Sequence, residues 1–183
     1  MKAVILWIIL SIFIGLSFNV NSKNVPIPKI KPNFHYLKSD QKLEVLCLAT
    51  VMYFEALNDS ETGKLAVAMT TINRTKSEYF PNSICLVAKE KRRNTCQYSW
   101  YCDSKKKRFF YDRNILDNDA PIEYNDMLKF ATYIYLNYDY IRDPSKSALF
   151  FHHSAIKPRW KNMRHTASIG KHIYYTRRNL INI

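Results

Sequence analysis

Glu55 is the residue whose type and setting point most directly to chemistry. It lies in Val51-Met52-Tyr53-Phe54-Glu55-Ala56-Leu57, near the C-terminal end of a strongly apolar helical stretch. On helical geometry its near neighbours are Val51, Met52 and Asp59. A carboxylic acid among apolar side chains has its charged form disfavoured, so its pKa rises. An acid that keeps its proton near neutral pH can deliver it to a leaving oxygen, which is what a glycosidase general acid must do. The competing reading is a solvated Glu, or one paired with Lys or Arg, the commoner state of a helical Glu. An ordinary glycosidase also needs a second carboxylate, for which Asp59, Glu61 and Asp103 are the candidates.

The cysteines form the second group. Cys47, Cys85, Cys96 and Cys102 are an even set, and in an oxidising compartment they predict two disulfides. Three pairings remain open. Zinc is the weaker alternative, because no Cys-x-x-Cys pair is present. His152 and His153 follow an apolar strand, so alternation sends one inward and the other outward; as metal ligands they lack partners. Gly170, one of only three glycines, is expected to supply a special backbone conformation.

These groups need a scaffold. Ser39 or Asp40 reads as the N-cap of a first helix running to about Leu57, apolar on nearly every side and therefore central to the core. Asn58, Asp59 and Ser60 end it. A second helix starts near Glu61 or Thr62, with Leu65, Ala68, Met69 and Ile72 as its stripe, and ends by Pro81. A short third helix follows through Ala88. The basic, aromatic stretch from Lys89 to Arg113 has no helical period and reads as loop with short extended pieces. A long helix is predicted over Ile122 to Tyr138, and short strands over Ala148 to His152 and Ile169 to Tyr175. The layout is α+β, mainly helical, with a small β region late in the chain.

Composition bounds the partners. The 183 residues include 28 Lys plus Arg against 15 Asp plus Glu, a net charge of +13. With 47% hydrophobic and 23% charged residues the chain is an ordinary globular one, and its length suits a single core. The excess charge calls for an anionic partner: nucleic acid, a membrane surface or an acidic polymer. Lys2 followed by the apolar run Ala3 to Phe18 marks residues 1–22 as a signal peptide or signal anchor, with membrane anchoring by residues 3–18 as the second option. The Pro-bearing residues 23–38 read as a linker, leaving 39–183 as the catalytic domain. Export argues against nucleic acid as the natural partner of this charge.

Several ordered segments then carry a resemblance. Tyr53-Phe54-Glu55-Ala56, Ala66-Val67-Ala68, Ile72-Asn73-Arg74 and Phe80-Pro81-Asn82-Ser83-Ile84-Cys85 are followed by Cys96-Gln97-Tyr98-Ser99-Trp100, Cys102-Asp103 and Ile169-Gly170-Lys171-His172 with Tyr174. Together they resemble the SleB-like cell wall hydrolase family, over about Leu43 to Tyr175. The resemblance implies a lysozyme/lytic-transglycosylase-like fold, peptidoglycan as substrate, and Glu55 as the catalytic acid. It places Gln97, Ser99 and Trp100 in a matched motif, where they are candidates to line the groove, with Trp100 divided evenly between stacking on a sugar and a core position beside the disulfides. His152, Trp160 and Tyr174 join them as substrate-binding candidates; Trp160 is divided between a sugar platform and the core, and His172 and Tyr174 between a structural role and substrate contact. The segment Leu57-Asn58-Asp59-Ser60 departs from the family's usual Gly-rich, basic continuation.

The chemistry expected is cleavage between N-acetylmuramic acid and N-acetylglucosamine, by a lytic transglycosylase route that needs one Glu alone: the same residue turns base and the muramoyl C6 hydroxyl attacks internally. No cofactor or metal is expected, and the protein is expected to be a monomer. The alternatives are an N-acetylmuramoyl-L-alanine amidase and a non-enzymatic basic wall-binding protein. The runs Lys89-Glu90-Lys91-Arg92-Arg93 and Lys105-Lys106-Lys107-Arg108 favour the latter, although such runs are usually solvated loops.

Overall fold

The computed structural model describes residues 33–111 and 120–178. The expected signal or anchor, and most of the expected linker, lie outside the described residues. Among the described residues no helix is long and apolar enough to cross a membrane.

Helix α1 (Ser39–Ala56) is the axis of the core, with Val45, Cys47, Leu48, Ala49, Val51 and Met52 all fully buried. An 18-residue helix that hides residues on every side must be surrounded, and α1 packs against three other helices. They are α2 (Glu61–Thr75), α3 (Ile84–Lys89) and α6 (Ile122–Asn137). Neither Ser39 nor Asp40 is the N-cap of α1. Lys38 takes that place, its backbone N–H donating to the Gln41 side chain at 3.1 Å. Ser60 caps α2 by accepting from the Gly63 N–H, and Ser83 caps α3 through Leu86.

Two ties fasten α3 to α1: the Cys47–Cys85 disulfide, and the Glu44 carboxylate accepting the Ile84 N–H at 2.6 Å. The second disulfide, Cys96–Cys102, closes a short loop. That region differs from the expected loop. A two-stranded hairpin, β1 (Lys91–Arg92) with β2 (Thr95–Cys96), is followed by two short helices, α4 (Ser99–Cys102) and α5 (Ser104–Tyr111). Asp103 initiates α5 by accepting the Lys105 and Lys106 N–H groups, a local cap that hydrophobic periodicity does not reveal.

The β region is a three-stranded antiparallel sheet in the order β3 (Phe150–His153), β5 (His172–Arg177), β4 (Met163–Ile169). The single strand expected over Ile169 to Tyr175 is in fact two strands folded about Gly170, whose φ is +57°. Met163 to Ser168 is largely exposed, so its strand character comes from pairing with β5 rather than from an apolar pattern.

The sheet is attached through Asn73 and Arg74 at the end of α2. The Asn73 amide donates to Asp143 at 2.9 Å and to the Ala148 carbonyl at 3.2 Å. Arg74 Nε donates to the Leu149 carbonyl at 2.8 Å, just ahead of β3.

Candidate active site

Glu55 occupies the last turn of α1, flanked by aromatic anchors. Phe54 stacks on Trp100 with centroids 5.2 Å apart, and Tyr53 meets Tyr124 edge-on at 5.6 Å. These contacts fix the turn, and Glu55 itself is half-buried. Burial pushes its carboxyl up from 4.5 to about 7, against the opposing pull of Arg74 and, more weakly, Lys106. Its position at the negative end of the α1 dipole acts in the same direction as burial. The acid thus holds a proton near neutrality with two cations close enough to stabilise its carboxylate once the proton has left.

Arg74 is the second member of the site, and sequence reasoning did not assign it a role beyond its motif. It is 2% exposed, and its guanidinium lies 5.0 Å from the Tyr98 ring centroid, 5.3 Å from Phe80 and 5.8 Å from Phe151. A desolvated cation over three rings is well held without a carboxylate. Tyr98, itself buried, shares a hydrogen bond of 2.8 Å with Thr71. A signal was present in the sequence: Val67, Thr71 and Arg74 fall at helical spacing, and all three prove buried.

Asp59 lies in the turn that follows the end of α1 at Ala56. Its carboxylate and the His172 Nδ1 lie 2.9 Å apart, with both side chains nearly inaccessible. Burial holds the His172 imidazole below its ordinary value, partly offset by the Asp59 charge. The pair ties the corner between α1 and α2 to β5. Gly63 and Gly170 both abut it: a Cβ on Gly63 would fall 2.9 Å from the Asp59 Cβ, and one on Gly170 would fall 3.4 Å from Oδ1. Of the three expected second carboxylates, then, Asp59 is engaged with His172, Asp103 caps α5, and Glu61 is exposed in the first turn of α2. None of them is among the charges that act on Glu55.

The other expected binding residues are dispersed. Trp100 is 1% exposed and stacks in the core, and Tyr174 is fully buried beneath the sheet. Neither offers a face to a glycan: Trp100 packs against Phe54, Tyr98 and Tyr101, and Tyr174 against Ala66, Ala148 and Phe151. Gln97 is half-buried and Ser99 is exposed at the start of α4. His152 and Trp160 meet each other at 5.5 Å, on the sheet face that points away from Arg74 and Tyr98. Among the described residues no group of three or more His, Cys, Asp or Glu could hold a metal ion.

The architecture places the chain in the class of lysozyme-like lytic transglycosylase folds. It is similar to the catalytic domain of the germination-specific lytic transglycosylase SleB from Bacillus anthracis, with a TM-score of 0.51 and 22% identity over 77% of this chain and 98% of that one. The catalytic domain of the Bacillus cereus SleB protein is similar too, with a TM-score of 0.51 and 23% identity over 74% and 91% of the two chains. The profile of the cell wall hydrolase family matches residues 58–175. The chain therefore belongs to the cell wall hydrolase family and is an enzyme of cell wall breakdown. Glu55 stands three residues ahead of the matched segment. No curated protein matches the chain. Family membership and two disulfides together make it an exported protein.

Proposed function

We propose that the protein cleaves the glycan backbone of peptidoglycan between N-acetylmuramic acid and N-acetylglucosamine, as a lytic transglycosylase with Glu55 as its single catalytic acid. The observation that carries this reading is a desolvated carboxyl, raised to about 7, on which the cations Arg74 and Lys106 act. Glu55 protonates the glycosidic oxygen as oxocarbenium character develops on the muramoyl ring. The carboxylate so formed is stabilised by Arg74 and Lys106, and then takes the proton of the muramoyl C6 hydroxyl as that oxygen closes on C1. The product is a 1,6-anhydro sugar, and no water is consumed.

The pairing of Asp59 with His172 and the capping of α5 by Asp103 support this route over a hydrolase with two carboxylates. The domain comprises residues 39–183, and residues 1–22 direct export to the periplasm or the exterior, or anchor the chain through residues 3–18. The protein works as a monomer without a cofactor. The basic charge draws it to an anionic wall and makes activity sensitive to salt.

The test is product analysis on purified sacculi by mass spectrometry. Anhydromuramoyl ends are expected from the wild type, and none from Glu55→Gln. Reducing muramic ends would indicate a hydrolase, free stem peptides an amidase, and full activity of Glu55→Gln would remove the assignment of the acid.

A further inference from the structure

The positive charge of this chain is concentrated at one end. No Asp or Glu follows Asp143, whereas the residues after it include eight Lys and Arg. The whole three-stranded sheet lies in that segment, and its two faces differ. Phe151 and His172 point toward the helices, where they meet each other at 5.2 Å and where His172 reaches Asp59. Their neighbours His152, Ile173 and Tyr175 point the other way, as alternation along β3 and β5 requires.

On that outer face lies a cleft of about 720 Å³, lined by His152, Ile173 and Tyr175 together with Lys157, Trp160 and Arg178. His152 stacks on Tyr175 at 5.5 Å, and Trp160 stands edge-on to both, at 5.5 Å from His152 and 5.9 Å from Tyr175. Trp160 is 42% exposed although it is anchored on two sides. No acidic residue lines the cleft, and neither Lys157 nor Arg178 has an ion-pair partner among the described residues. Glu55, Arg74, Tyr98 and Lys106 take no part in it.

We infer that this cleft is a second, non-catalytic binding site for the peptide-bearing glycan strand, an inference that rests on the proposed wall-glycan substrate. A rigid, partly exposed indole offers a flat apolar surface of the kind that packs on a pyranose face. Two unpaired cations beside it suit the carboxylates of stem peptides. A purely phosphate-bearing polymer would need the cations and leave the three rings without a role. Because the substrate is a polymer, one strand or its neighbour in the mesh can occupy the cleft while glycan is held at Glu55. Binding at the cleft then raises the effective concentration of glycan at Glu55.

The test uses the full chain carrying Glu55→Gln, pelleted with sacculi at low and high salt, beside the same chain with Trp160→Ala or with Lys157→Glu plus Arg178→Glu. Each change is expected to weaken binding by about tenfold, the scale of one lost anchor. Binding of the parent should survive removal of phosphate-bearing wall polymers and weaken when stem peptides are removed. In NMR spectra a soluble muropeptide should shift the Trp160 indole N–H. Thermal unfolding midpoints identify any variant that has lost its fold, and the charge reversal, made at exposed residues, decides the matter if Trp160→Ala does not fold. Unchanged binding in the folded variants, an unmoved indole signal, or binding that disappears with the phosphate polymers would each overturn the inference. Product analysis of the wild type separates the two proposals. Glycan cleavage with unaltered variant binding removes the cleft alone. Lost variant binding without glycan cleavage removes the chemistry and keeps the cleft.

Discussion

Replacing Glu55 by Gln should abolish activity and at the same time stabilise the protein above neutral pH. The magnitude follows from the raised carboxyl, moved from 4.5 to about 7 by burial. The folded chain holds this proton more tightly than the unfolded chain does. The resulting stability is complete below about pH 4.5 and is lost as pH rises through about 7. Above that, the folded state confines an ionised carboxylate at a cost of about 3 kcal/mol relative to the unfolded chain. Gln keeps the shape and bears no charge, so the variant avoids that cost. Little difference from wild type is expected at about pH 4, and a gain of up to about 3 kcal/mol at about pH 8. For a chain of this size that corresponds to roughly 5–10 °C in the unfolding midpoint. Circular dichroism melts of both proteins at the two pH values, with disulfides intact, provide the assay. A midpoint difference that is the same at both pH values would refute the reasoning, because it would mean that Glu55 is solvated in the folded state.

Three further outcomes follow from the same geometry. Turnover should fall as pH rises through about 7, since the proton donor is then lost, and Arg74→Met should move that limb to higher pH by removing the cation that lowers the Glu55 pKa; initial rates across pH measure it, and an unmoved limb counts against the assignment. Asp59→Ala leaves His172 buried without its carboxylate and should cost about 1–3 kcal/mol in denaturant unfolding, while the imidazole, followed by NMR, titrates still lower. Replacing Cys47 and Cys85 together by Ser should cost about 4 kcal/mol, against about 2 kcal/mol for Cys96 and Cys102, because the first bridge spans 38 residues and the second 6; equal losses would mean that chain entropy is not the main source.

Much of the helical scaffold was legible because its information is local. The near-continuous apolar run of α1 and the 3.6-residue stripe of α2 each mark an element without reference to the rest of the chain. Asn58-Asp59-Ser60 likewise announces its own break. The helices between Ser99 and Tyr111 are not legible in the sequence because both are short, which leaves too few turns to show a period, and the second starts on a local cap from Asp103. Strand β4 was missed for a related reason: it is an edge strand with little to bury, and only its partner β5 makes it a strand.

Trp100 and Tyr174 illustrate a different limit. Aromatic residues in a matched motif serve a core as readily as a groove, and only the tertiary packing shows that both are enclosed. His152 and Trp160 are two further substrate-binding candidates: alternation along β3 turns His152 to the outer face, and Trp160, from the connection between β3 and β4, packs against it there.

The sequence by itself determined that α1 would be buried and that it would carry an acid near its end, since both depend on residues within a few turns of one another. It also determined the excess of positive charge and an even set of cysteines after the apolar N-terminal run. Only the tertiary structure decided what surrounds that acid. Arg74 reaches it from α2, Tyr98 lies beyond the β1–β2 hairpin, and Asp59 is drawn off by His172, 113 residues further along the chain. It also chose Cys47–Cys85 and Cys96–Cys102 from three possible pairings. The physical reason is common to all of these. A carboxyl's pKa, a buried cation's tolerance and a cysteine's partner depend on distances through space, and helical periodicity specifies only which face of an element points inward.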